Sequence, residues 1–219
     1  MLAVLVKIIP LDLAATLSPG IFAVALLLLG SKENKLSRVL AFLFGTLVIG
    51  IGIALLGYNL GDSFQHNGQQ NLASSIIDLA LGVLFLLYGI KIFFSKERKI
   101  KLFGGEEKHQ ILKWIIIGLA VSATNFDALF LSFTAAKEVG AAKISDFQDL
   151  ILIIVNILFF ILPITLPLIV YFLFPHFAGN FLEKVNQFVF KYSRYIIFAL
   201  FIIFGIYLFY HGLEYFLGY

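Results

Sequence analysis

The side chains of this sequence that could bind or carry charge lie mostly inside long apolar runs. Asp127 follows Thr124 and Asn125 in a stretch of aliphatic and aromatic residues. Asp12 and Ser18 share another such stretch, in which Pro19 and Gly20 come next, and Asn156 stands alone in a third. A carboxylate at the centre of a bilayer costs on the order of 2.5–3.5 kcal/mol on insertion scales, so it usually faces a cavity. Asp12 lies roughly 9 Å from Ser18 if the segment is helical. Asp12 and Asp127 are expected to line one cavity and to suit a proton- or cation-linked step. Two blander readings stand beside this one. Asp127 also fits a structural hydrogen bond to a neighbouring helix, and Asp12 a position near the water interface. For Asp78, one turn into its run, the interface reading is preferred.

Other chemistries find no support. The absence of cysteine excludes disulfides, thiol redox chemistry and thiolate metal sites. His66, His109 and His176 fall in separate loops and His211 near the end of the last apolar run, with no ligand spacing between any two. No nucleophile with its base, phosphate loop or haem ligand pair is visible. The expectation is therefore no enzyme, no metal and no cofactor.

The chain of 219 residues that holds these side chains is 61% hydrophobic and only 13% charged. Soluble domains are about 45–50% apolar and about 25% charged. A span needs roughly 20 mostly apolar residues. Six stretches qualify, at about 2–30, 38–60, 74–95, 111–136, 148–174 and 195–216. The expected class is an all-α integral membrane protein. The early Lys7, Pro10 and Asp12 argue against a cleavable leader. Thirteen Lys and Arg fall in or beside the loops after the first, third and fifth stretches, against Lys7, Lys137 and Lys143 on the other side. That bias places the basic loops in the cytoplasm and both termini outside, in the cytoplasmic (inner) membrane. The net charge of +3 lies on no soluble basic face, so nucleic acid is not an expected partner. Membrane lipids and a small-molecule, ion or lipid substrate are the expected ones, with a homodimer left open.

Several positions should bend the helices. Pro19 removes an amide donor mid-span and Gly20 permits a bend. Pro163 and Pro167 should kink the fifth stretch. Within 177–192, Phe177, Phe181, Val185, Phe188, Val189 and Tyr192 recur at helical spacing, as in an amphipathic helix lying on the membrane surface.

The two halves also resemble each other. Gly82 and Gly89 in the third stretch match Gly205 and Gly212 in the sixth. Leu13-Ala14 leads into Ser18-Pro19 in the first stretch as Leu119-Ala120 leads into Thr124-Asn125 in the fourth. Three spans per half force two such halves to insert with opposite orientation, a common plan of secondary transporters with the substrate at the midplane. The expected units are 1–95, a cytoplasmic linker 96–110, and 111–219. A six-helix bundle that shares composition only is the alternative.

The sequence resembles the lysine-exporter (LysE) superfamily, and within it most closely the GAP family of peptidoglycolipid-addressing proteins, which includes the sulfolipid-addressing Sap-like members. The resemblance rests on Ser18-Pro19, on the run from Ala41 to Gly45 after a basic loop, and on Gly118-Leu119-Ala120 with Asn125. Where family members often show Asn-Pro-Lys-Asn, this chain has Asn125-Phe126-Asp127-Ala128. The resemblance implies a transporter or exporter of amino acids, ions or lipids working by alternating access. Two other classes compete with this one. A thiol-reductant conductor of the CcdA type needs the cysteine that this chain lacks. A non-transporting scaffold or assembly factor remains open, and it expects a dry core at Asp127 where transport expects a polar cavity.

Overall fold

The computed structural model describes residues 1–31, 34–64, 72–94, 110–142 and 144–217. Those residues form eight helices and no strand. They are α1 (Leu2–Ala15), α2 (Pro19–Leu29), α3 (Lys35–Phe64), α4 (Leu72–Phe94), α5 (Gln110–Ala123), α6 (Phe126–Gly140), α7 (Asp146–Leu173) and α8 (Pro175–Leu217). Four of these, α3, α4, α7 and α8, are long and apolar enough to cross a bilayer. The pairs α1–α2 and α5–α6 pass the same test jointly, bent by 55° and 73°, which brings the number to six if each pair is one span. The linker 96–110, all but Gln110, lies outside the described residues, as do His66, His109 and Lys143.

Each bend has a local cause. Pro19 occupies the first turn of α2, where its missing N–H is harmless and its fixed φ suits a helix start. The ring disfavours helical backbone in the residue before it, and Ser18 is extended at φ −97°, ψ 96°. The second bend has no proline. Asn125 leaves the helical region at φ −88°, ψ 69°, and the Thr124 hydroxyl turns back to donate to the Ala120 carbonyl at 2.8 Å. Gly20 is an ordinary helical residue of α2 and does not break it.

The prolines of the fifth stretch do not break their helix either. α7 runs through Pro163 and Pro167, both buried, without interruption. The surface helix expected over 177–192 is likewise corrected. It is the first half of α8, one helix of 43 residues, or about 65 Å if straight. Ala178 and Leu182 face the bundle and pack on Phe22, while Phe177 and Phe188 are exposed.

Packing follows residue size. α4 and α8 run antiparallel at close range, because a side-chain carbon added at Gly82 would stand 2.6 Å from the Phe209 backbone nitrogen and one at Gly212 would stand 2.7 Å from that of Leu79. The glycine pairs that suggested a repeat are therefore the contact surface between the third and sixth stretches. Phe85 and Phe201 stack between the same helices with ring centres 4.6 Å apart and anchor a core that also takes in Leu11, Leu131 and Phe160. Large apolar side chains such as Leu56, Leu87, Phe94, Leu158 and Ile203 point outward all round. An apolar exterior of this extent needs a lipid partner, so the chain is a multi-pass membrane protein.

Candidate functional site

The two bends meet. The Asn125 side-chain amide donates to the Ser18 hydroxyl at 2.8 Å, although the residues are far apart in sequence. Ser18, Pro19, Thr124, Asn125 and Asp127 together line one cavity of about 450 Å³. Ser18 is buried, and Asn125 and Asp127 are half-buried. Asp127 sits in the first turn of α6, where the helix dipole favours a negative charge. The remaining walls are α4 and α8, through Tyr88, Lys91, Ser193, Arg194 and Tyr195.

Three cations reach this cavity, namely Lys91, Lys191 and Arg194. Each is held beside an aromatic ring, with the Lys91 ammonium 5.6 Å from the Tyr88 ring centre and the Arg194 guanidinium 5.7 Å from that of Tyr195. Rings steer cations through their negative faces. Among the described residues of the lining, Asp127 is the one carboxylate. Sequence reasoning counted these cations as loop charge and did not assign them to a site. The available signal was the i, i+3 spacing of Tyr88 and Lys91, which puts both on one helix face.

Asp12 and Asn156 do not join this group, so the expectation of one cavity shared by Asp12 and Asp127 is corrected. Asp12 is fully buried and accepts from the Asn156 amide at 2.6 Å. The same amide donates to the Ser132 carbonyl at 3.2 Å, and the Ser132 hydroxyl donates to the Asn156 oxygen at 3.1 Å. This network ties α1, α6 and α7 together. It stands apart because Asp12 and Ser18 fall on the two sides of the bend.

A further polar cluster went unrecognised in the sequence. Asp78 is not at an interface with water; it is buried and paired with the buried Lys137 and with His211, whose Nδ1 lies 3.1 Å from its second oxygen. Beside it, Lys7 donates to Glu138 and to the Tyr207 hydroxyl, each at 2.9 Å. Thus α1, α4, α6 and α8 are joined at the end of the bundle away from the cavity mouth. Asp78 and Lys91 lie roughly 20 Å apart along α4.

Compared with known families, residues 8–214 match the family model described as Sap, sulfolipid-1-addressing protein. The chain belongs to this family. The match runs through both bends and the cavity walls and takes in Asp78, Lys137, Glu138 and His211, with Lys7 just before it. No curated protein and no solved structure matches the chain.

Proposed function

We propose that this protein is a membrane transporter that moves the headgroup of an amphiphilic, anionic lipid through the cavity between its two bends. On this reading the chain crosses the bilayer six times as two inverted three-span halves, α1–α4 and α5–α8, that alternate in exposing one site to either side. The basic loops face the cytoplasm, both termini face outward, and the conformation described is open toward the basic side.

One observation carries the reading: the Asn125–Ser18 hydrogen bond joins the two helix breaks in the wall of a polar cavity. Irregular backbone at membrane depth is tolerated where protein or water covers it, and pairs of interrupted helices are a pointer to transporter sites. A scaffold would have packed this region dry. The cavity volume suits a headgroup and not acyl chains, which would stay in the membrane beside the exposed Tyr195. The three cations favour a negative headgroup, and the family's description names a sulfolipid.

The test is lipid movement between leaflets of vesicles holding the purified protein. Vesicles containing anionic lipids with a labelled headgroup should show protein-dependent transfer, slowed strongly by Asp127→Asn and by the Lys91→Ala, Lys191→Ala pair. Equal transfer of a neutral amino acid and no transfer of lipid would remove the lipid assignment. Unchanged flux in Asp127→Asn would remove that carboxylate from the mechanism.

A further inference from the structure

Asp12 is fully buried, yet no cation contacts it among the described residues. Its Oδ1 accepts from the Asn156 amide, and its Oδ2 has no hydrogen-bond partner at all. An ionised carboxylate cannot stay in such a place. Burying one unpaired costs far more than a single amide hydrogen bond returns.

The charged and titratable groups on the surrounding helices are all committed elsewhere or distant. On α1 itself Lys7 binds Glu138 and Tyr207. On α6, Lys137 is taken by Asp78 and Glu138 by Lys7, and Asp127 lies in the cavity wall. On α7, Asp146 and Asp149 belong to the first turn, with Asp149 accepting from Tyr58 at 3.1 Å. On α8, His211 faces Asp78 and Tyr207 faces Lys7. Metal binding fits poorly. The Asn156 amide donates to the carboxylate and to the Ser132 carbonyl, and no group of three potential metal-binding side chains occurs among the described residues.

We infer that Asp12 holds a proton in this conformation and is the site at which proton binding is coupled to opening of the end sealed by Lys7, Glu138, Asp78 and Lys137. The inference rests on the transport reading and, of the two acids Asp12 and Asp127, gives the coupling to Asp12. Neutral Asp12 lets α1 pack against α6 and α7. Release of its proton to water leaves a carboxylate that requires hydration, and hydration requires α1 to separate from those helices. The step is a simple proton dissociation, with the proton leaving from Oδ2 to solvent on the side that opens. A ligand that binds one of two states more tightly shifts their populations by that difference, and the proton is here the ligand of the sealed state.

Two measurements on purified full-length protein decide it. Infrared difference spectra of wild type against Asp12→Asn at neutral pH should contain the carbonyl band of a protonated carboxylic acid, shifted in Asp12→Glu. Carboxylate bands alone would overturn the inference, whether or not the protein transports anything. In vesicles, an imposed pH gradient should accelerate wild-type lipid transfer, whereas Asp12→Asn, fixed in the neutral form, should stay folded by thermal unfolding, lose that acceleration and transfer lipid slowly with or without a gradient. Persistence of the acceleration in Asp12→Asn, or its replacement by dependence on a sodium gradient, would overturn it. Absence of any wild-type lipid transfer would count against the transport reading, and the infrared result would still stand or fall alone.

Discussion

The two ends of the bundle use the same kinds of residue to opposite effect. At the cavity end, Lys91, Lys191 and Arg194 surround a space with one carboxylate, Asp127, and rest on aromatic faces. At the other end, Asp78 meets Lys137 and His211, and Glu138 meets Lys7, so that charge is matched and space is filled. The first arrangement borders a cavity, and the second holds four helices together. Two paired acids and two paired lysines make a lock, while the cations at the other end border an open space.

The contrast can be broken most forcefully at Asp78. Asp78→Ala strands the Lys137 ammonium in a buried site, and removal of one partner of such a pair costs about 3–5 kcal/mol. Thermal unfolding in detergent should show it, with part of the loss recovered in the Asp78→Ala, Lys137→Ala double variant. If Asp78→Ala is as stable as wild type, the closed end is no lock. Next comes the helix contact beneath both ends. Gly212→Val forces a side chain against the Leu79 backbone and should cost about 1–3 kcal/mol by overpacking. The same substitution at Gly52, where nothing lies within 4 Å of the added carbon, should leave the unfolding midpoint nearly unchanged. A smaller effect is expected at the cavity. Ser18→Ala removes the acceptor for Asn125 and should cost about 1 kcal/mol of stability, with a larger fractional loss in transport. Loss of stability and transport in strict proportion would make Ser18 merely structural. The smallest belongs to Lys7, whose side chain is 46% exposed. Lys7→Ala should change stability by about 0–1 kcal/mol, as exposed pairs do, and the difference from wild type should shrink further in high salt.

Much of this organisation was legible in residue order. The positions of the apolar stretches follow from span length, because hydrocarbon thickness sets it directly, and the Ser18-Pro19 break follows from what a proline ring does to the residue before it. The break at Thr124-Asn125 was readable only as a loss of apolar character, since no proline marks it. Pro163 and Pro167 misled for the converse reason. A proline removes one backbone hydrogen bond, yet the turns on either side of it remain helical here. The segment 177–192 was read with the correct period and only part of the correct face: Val189 is buried and Phe181 and Val185 pack on the bundle, whereas Phe177 and Phe188 are exposed.

The sequence alone determined that this chain lives in a bilayer, where its helices lie and where the first one breaks, since each follows from local chain chemistry and the cost of exposing polar backbone to hydrocarbon. Tertiary structure alone decided which polar groups meet. It set Asn125 on Ser18, Lys137 on Asp78 and Asn156 on Asp12, and it left Asp127 in a cavity while sealing Asp12 away. Those pairings join residues distant in the chain, and in an apolar medium a polar side chain takes whatever partner the packing of helices brings within reach.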